Sequence, residues 1–317
     1  EQKAAKALGL RDAALWAQLG NGLASYLDDD GLANYFPPRA EDGARGSDRL
    51  TAHLLAAAHE AGFELPPVAR DRMLDGLVAF VDGRIQRKFY SPRADLDVRK
   101  LAAVEALARY GRVEPRMLGS IKLQPNLWPT AAVIDWLQIL RRLPAIAEQP
   151  RRIDEAQQIL RSRISYAGTT LRFSNEADDY WWWLMDSADA NAARLILALI
   201  DDPAWKDELP RLVLGALGRQ QGGAWLTTTA NLWGALALDK FSARFENTPV
   251  SGVTLAGIGA AKPVLDWSRS PQGGRVTLPW PTAPATLQVT QQGSGKPWVT
   301  VQGLAAIALQ APLNAGY

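Results

Sequence analysis

The chain has 317 residues, a length that predicts about two domains of roughly 150 residues each. It carries 35 Lys and Arg against 33 Asp and Glu, and the net charge of +2 gives no reason to expect a nucleic acid as a partner. Cysteine is absent, which excludes disulfides, Fe–S clusters and cysteine nucleophiles within these residues. The two histidines, His53 and His59, fall on different faces of a helix, so we expect neither a metal ion nor a cofactor.

The two ends of the chain indicate a piece of a longer protein, called the parent below. The sequence begins at Glu1 rather than at Met, carries no signal peptide and shows no tail at Tyr317. No apolar run approaches the roughly 20 residues of a transmembrane helix, so we expect no membrane-spanning segment in this piece. The absence of cysteine is compatible with the bacterial periplasm.

In chain order, residues 1–239 are predicted to be helical. Apolar residues at i, i+4 and i+7, such as Leu50, Leu54 and Ala57, mark one face of a helix. Near the middle, 165–173 alternates with period two, and Gly168 predicts the turn of a small hairpin. The helical spacing, in segments rich in alanine and other small residues, predicts helices over 48–61, 96–110, 131–140, 177–188 and 227–238.

Residues 240–317 have a different composition. From 239 onward only 9 of 79 residues are charged, six Lys/Arg and three Asp/Glu, while the first 238 carry the other 59 of 68. Short β-type runs at 276–278, 287–289 and 298–301 are separated by Gly- and Pro-rich turns. This pattern predicts a small antiparallel β-sandwich whose last strand is cut off at Tyr317.

The helical part contains a repeat. An aromatic loop precedes each of the five predicted helices, and the aromatic positions 36, 90, 128, 173 and 225 are 54, 38, 45 and 52 residues apart. Each period holds one helical hairpin, which buries its apolar face only by stacking on its neighbours. The uniform loops and irregular spacing favour a closed α/α toroid over an open solenoid, with a sixth inner helix expected just upstream of Glu1.

In a toroid these loops gather at one end, and aromatic side chains on a surface are typical anchors for a protein partner. The alternative is that the same rings pack the loops onto the inner helices. The candidate interaction surface consists of Tyr35, Phe36, Tyr90, Trp128 and Trp225.

Two segments resemble the thioester domain of the alpha-2-macroglobulin family. The stretches at 218–229 and 231–238 (GRQQGGAWLTTT and NLWGALAL) resemble its last inner helix, in which a glycine-rich turn and a Thr-rich cap precede a helix that ends in Ala-Leu. The stretches at 47–55 and 60–66 (SDRLTAHLL and EAGFELP) resemble its second helix. The likeness covers about residues 5–240 and is closest to the bacterial branch. The tail resembles the CUB or macroglobulin-like β-sandwich that follows the toroid.

The resemblance implies a fragment of a protease inhibitor rather than an enzyme. Family members trap proteases that cut an exposed bait segment, and many hold a thioester between a Cys thiol and a Gln side chain. No thioester can form within a chain that lacks Cys. Glu1 and Gln2 match the end of the family's Cys-x-Glu-Gln loop, but the Thr-rich continuation is missing after Gln2, so the motif is not transferred. The thioester then lies upstream in the parent or is lost, as in a thioester-less MagD-type branch.

The resemblance also implies partners and a compartment. The partners are other domains of the parent, target proteases and periplasmic partner proteins. The compartment is the periplasm, with an anchor to the inner membrane through the N-terminus of the parent.

Enzymes built on the same toroid are the main alternative. The stretch 220–225 fits the Gln-x-x-Gly-x-Trp turn of prenyl-processing triterpene cyclases, but neither 28–30 nor 95–97 completes their Asp-x-Asp-Asp motif. A glycan-processing enzyme needs two carboxylates roughly 5–9.5 Å apart. A pure protein-interaction platform is the third possibility. Carboxylate candidates near the predicted mouth are Asp28, Asp97, Asp135, Asp178 and Asp179.

Overall fold

The computed structural model describes residues 1–39, 45–87, 95–173 and 181–303. The chain divides into two compact units, Glu1–Phe241 and Ser242–Tyr317. The first is helical and the second contains a small antiparallel sheet, so the predicted mainly-α fold with a small β part is confirmed. Within the described ranges, every helix is too short or too polar to cross a membrane.

The helical unit, residues 1–241, follows the predicted order of elements. The hairpin predicted around Gly168 is present, with strands β1 (Ile164–Ala167) and β2 (Thr170–Phe173) joined where Gly168 has a φ of +64°. The helices are α1 (Gln2–Gly9), α2 (Ala13–Leu23), α3 (Asp48–Ala61), α4 (Pro67–Val81), α5 (Leu96–Arg109), α6 (Thr130–Arg142), α7 (Gln149–Ser162), α8 (Ala188–Leu199), α9 (Leu209–Leu217) and α10 (Thr228–Phe245).

The helices pack in two layers. Helices α3, α5, α6 and α8 lie side by side in that order, and α4, α7 and α9 cover them. Small residues such as Ala57, Ala103 and Ala132 are fully buried between these helices. Their short side chains let the neighbouring helix backbones pack closely. Alanine-rich helices therefore form the inner layer, as the sequence pattern predicts.

Helix α1 lies between α3 and α10. It packs against α3, and a Cβ added at Gly9 would stand 3.8 Å from the Cβ of Ala235 on α10. On its other side α10 meets α8, since the guanidinium of Arg194 lies 5.7 Å from the ring centre of Trp233. The repeat pattern did not predict α1, which is only eight residues long.

Helix α8 corrects another expectation. The predicted helix at 177–188 falls partly on 174–180, which lie outside the described residues, and the next helix begins only at Ala188. Ser187 caps it by accepting a hydrogen bond from the backbone N–H of Ala190, which ends the preceding irregular segment. Before it, Trp182–Leu184 form a single 3-10 turn.

In the second unit, the described residues 242–303 form a three-stranded sheet in the order β4-β3-β5. Its strands are β3 (Val253–Gly257), β4 (Val264–Asp266) and β5 (Gln288–Gln292), and both pairings are antiparallel. Only the run at 287–289 overlaps a strand, while 276–278 and 298–301 pair with nothing as strands. A sandwich needs two sheets, and the described residues 242–303 show one.

Candidate functional site

A cavity in the helical unit lies where α1 begins. It has a volume of about 440 Å³ and is walled by α1, α2, α3 and the loop that follows α2. We call it the aromatic cavity, and it contains two of the predicted site residues. Its side chains include Glu1, Gln2, Trp16, Leu19, Leu23, Tyr26, Tyr35, Phe36, Leu50, Leu54 and Leu65.

The loop that carries these aromatic side chains is held by Asp28. Its Oδ1 accepts from the backbone N–H of Leu32 at 2.9 Å, and its Oδ2 accepts from the N–H of Gly46 and from Arg87 Nη2, both at 2.8 Å. Thr51 Oγ1 on α3 accepts from the N–H of Ala33 at 2.8 Å. Buried and accepting three hydrogen bonds, two of them from the backbone of the loop, Asp28 anchors the loop.

The anchored loop presents Tyr35 and Phe36 at the rim of the aromatic cavity. Tyr35 is 45% exposed and Phe36 is 81% exposed. On the floor, Trp16 packs edge-on against Phe63 and donates its Nε1 proton to the carbonyl of Glu64 at 2.7 Å. Burial, followed by the nearby Glu1 carboxylate, raises the pKa of the Tyr35 hydroxyl above its ordinary value. The cavity thus has mostly apolar walls, an indole whose N–H is hydrogen-bonded, and two exposed aromatic side chains at its rim.

The other predicted surface residues do not join this rim. Trp128 and Trp225 are each only 7% exposed, so the expectation that they offer surface to a partner is corrected. Trp128 packs against Trp136. Trp225 donates its Nε1 proton to the carbonyl of Ala216 at 2.9 Å. Large apolar rings gain more by filling gaps between hairpins than by facing water. Tyr90 lies outside the described residues.

Among the carboxylates considered for catalysis, the two buried ones are each paired with an arginine. Asp135 on α6 is buried and bonded to Arg194 of α8, and Asp28 is held in its loop. Asp97 lies in the first turn of α5, and Asp178 and Asp179 fall outside the described residues. Within the part of the chain that the structure describes, no group of three His, Asp or Glu side chains is placed to hold a metal ion.

A tryptophan-rich segment lies against the N-terminal ends of the inner helices. We call residues 181–187 the tryptophan segment. Trp183 Nε1 donates to Asp95 Oδ2 beside α5 at 3.1 Å, and Arg49 Nε on α3 donates to the carbonyl of Leu184 at 2.5 Å. Leu184 is fully buried, and Met185 has a left-handed φ of +60°, which is uncommon outside glycine. The three consecutive tryptophans were the only sequence signal for this element.

Solved structures of bacterial alpha-2-macroglobulins resemble this chain. The native conformation of Escherichia coli alpha-2-macroglobulin shares 17% identity over 80% of this chain, with a TM-score of 0.54. The Escherichia coli protein activated by porcine elastase shares 16% identity over 90%, with a TM-score of 0.55. Salmonella alpha-2-macroglobulin reacted with methylamine shares 18% identity over 86%, with a TM-score of 0.51. The fold is alpha-2-macroglobulin-like.

The extent of this likeness is limited to part of those proteins. This chain covers 15%, 24% and 16% of the three solved chains, respectively. No protein-family model matches the sequence, and no curated protein is similar to it in sequence. At 16–18% identity the likeness establishes the fold, and the activity of a whole alpha-2-macroglobulin is a separate question.

Proposed function

We propose that this chain is a segment of a periplasmic protease trap of the alpha-2-macroglobulin type. The observation that carries the proposal is the shared fold, which extends over 80–90% of the chain. The helical unit is proposed to be the closed α/α toroid of the thioester-domain type. In support, α1 packs on α3, the inner helices follow one another to α8, and α10 meets both α8 and α1.

The proposed role of this segment is non-enzymatic. The 317 residues contain no cysteine, so a thioester thiol would have to come from another part of the parent. The buried carboxylates Asp28 and Asp135 are occupied by arginine partners, which leaves them without the free, matched geometry of an acid–base pair. We therefore place capture of the protease in the parent as a whole and assign this segment to interaction and support.

Protease capture is tested on the full-length parent. Porcine elastase is mixed with increasing parent, and its activity on a large protein substrate is followed together with cleavage of the parent. We expect cleavage of the parent and a stoichiometric loss of elastase activity. If elastase and, in a repeat experiment, trypsin both keep their full activity at excess parent, the proposal is wrong.

Methylamine distinguishes a parent that holds a thioester from one that does not. Treatment of the parent with methylamine, followed by thiol counting, is expected to release one thiol per chain where a thioester lies outside this segment. If no thiol appears while elastase is still inhibited, capture is steric and the protein belongs with thioester-less traps.

The aromatic cavity is the proposed contact for another domain of the parent. A cavity of about 440 Å³ with Phe36 largely exposed at its rim is suited to receive an apolar side chain, as interface anchors are. Replacing Tyr35 and Phe36 together by Ala is expected to make the parent larger by gel filtration and more sensitive to limited proteolysis, while the Tm of the present chain is unchanged. Leu226→Ala, at a residue 87% exposed outside the cavity, is the matched control. A parent unaffected by the double change would contradict this contact.

A further inference from the structure

A small polar cavity lies among the inner helices, apart from the aromatic cavity. Its volume is about 20 Å³. Five helices, α3, α5, α6, α8 and α10, line it together with the tryptophan segment, so no single element of the sequence reveals it. The side chains around it come from Arg49, Ala52, His53, Ala56, Ala102, Glu105, Asp135, Met185, Asp186, Arg194 and Trp233.

Two charged side chains in its wall, Asp186 and Arg194, each have one terminal atom that is hydrogen-bonded and one that is not. Asp186 Oδ1 accepts from Arg49 Nη2, and Arg194 Nη2 donates to Asp135 Oδ1. The remaining atoms, Asp186 Oδ2 and Arg194 Nη1, are buried and have no hydrogen-bond partner in the protein. They do not satisfy each other, since Arg194 Nη1 is 4.0 Å from the nearer Asp186 oxygen, Oδ1, which is beyond hydrogen-bond length. A buried donor and acceptor left unpaired are costly, and folded proteins supply a partner for nearly all such groups.

We propose that one water molecule is bound in this cavity, donating to Asp186 Oδ2 and accepting from Arg194 Nη1. A cavity of about 20 Å³ is large enough for a single water, which needs roughly 10–15 Å³. Water also has the required chemistry, because the site needs one molecule that both donates and accepts.

The charges around the cavity favour water over an ion. Asp186 is paired with Arg49, Asp135 with Arg194 and Glu105 with Arg109, so each guanidinium charge is already balanced and none is left over to hold a chloride. Among the described residues, no set of three His, Asp or Glu side chains is arranged to hold a metal cation.

The bound water connects the tryptophan segment to the helices beneath it. Through Asp186 and Arg194 it links that segment to α8, while Arg49 links the same carboxylate to α3 and Asp135 links Arg194 to α6. The segment follows an irregular path with Met185 at positive φ, so polar anchoring compensates for the regular backbone hydrogen bonds it lacks.

Alanine methyl groups offer a direct test on the full chain in solution. With ¹³C-labelled alanine methyls, we expect cross-relaxation from water to the methyls of Ala52, Ala56 and Ala102, with the opposite NOE and ROE signs of a long-lived bound water. Ala57 and Ala103 lie on the same two helices, are fully buried and do not line the cavity, so their methyls serve as controls without such peaks. Peaks that are absent at all three cavity methyls would overturn the proposal.

A cavity-filling variant separates bound water from exchanging guanidinium protons. Ala56→Val adds two methyl groups at the cavity wall, so we expect the water peaks at Ala52 and Ala102 to disappear and the Tm to fall by roughly 4 °C. Ala56→Ser brings its own hydroxyl into the same space, so the peaks should also disappear while the Tm stays closer to that of the unsubstituted chain. Peaks that persist in both variants would show that the signal comes from exchanging side-chain protons, and the proposal would be wrong.

Discussion

Acidification is expected to destabilise the helical unit through His53. This histidine lies on α3, is 7% exposed and packs edge-on against Trp233, with the ring centres 5.9 Å apart. Burial first, and then the nearby guanidinium groups of Arg49 and Arg194, lowers its pKa from 6.5 to about 3. The folded chain therefore holds the imidazole neutral across the physiological range.

The sign and size of the effect follow from the two pKa values. The unfolded chain binds a proton at His53 once the pH falls below about 6.5, whereas the folded chain resists protonation down to about 3. Stability from this group is thus complete above pH 6.5 and is lost as the pH falls toward 3. Each pH unit corresponds to about 1.4 kcal/mol, so the loss between pH 6.5 and 5 is about 2 kcal/mol.

The pH window is chosen to isolate the histidines. Burial acts to raise the pKa of Glu60, but the charge of Arg109 and the hydrogen bond with Lys240 outweigh it and lower the pKa from 4.5 to about 2. Its contribution to stability is therefore present above 4.5 and lost only below that value. Between pH 7 and 5 the carboxylate contributes little to the slope.

Urea unfolding followed by circular dichroism at 222 nm measures this slope, since the helical signal reports on the first unit. We expect His53→Gln to lower the free energy of unfolding at pH 7 and to flatten its decline between pH 6.5 and 5. His59→Gln is the comparison variant: the pKa of His59 is also lowered, by partial burial and by Arg109, but this side chain is exposed, so we expect a smaller flattening. A His53→Gln protein with the same decline as the original chain would refute the reasoning.

Two further predictions concern packing and buried charge. Gly234→Ala should destabilise the helical unit by about 2 kcal/mol, because a Cβ there would stand 2.2 Å from the Trp225 ring. Gly22→Ala is the control and should be neutral or slightly stabilising, because a Cβ at Gly22 has no neighbour within 4 Å. The midpoints of urea unfolding compare the two variants. Arg99→Met should lower the free energy of unfolding by about 3–5 kcal/mol in the same assay, because it removes the arginine that pairs with the fully buried Asp48 and Asp95. A loss below about 1 kcal/mol would contradict this prediction. Arg116→Met, in an exposed pair, should leave stability unchanged.

Local sequence signals were sufficient for several elements. The helix predicted at 48–61 is observed with the same bounds, because Ser47 caps its start and Gly62, at a φ of +72°, ends it. The hairpin at Gly168 is equally local, since its turn requires a positive φ. The sequence also showed Trp225 before α10 and Gly234 within it, but it did not show that the Trp225 ring packs against Gly234 and leaves no room for a Cβ there.

The second unit was less accessible to sequence. Two of three β-type runs, at 276–278 and 298–301, form no strand, while β3 and β4 were not predicted. Residue preferences for strands are weak, and pairing with a neighbour decides whether a segment becomes one. Here that neighbour is β3, which lies between the other two strands.

The sequence by itself determined the class of the fold, the alanine-rich inner helices and the absence of a cysteine nucleophile, because each depends on residue type and local periodicity. Only the tertiary structure decided which aromatic rings meet solvent, so that Phe36 is exposed while Trp225 is buried. It also paired Arg49 with Asp186, 137 positions away along the chain. Such pairings depend on how helices are placed against one another, and neither composition nor spacing encodes that placement in a form that can be seen in one sequence.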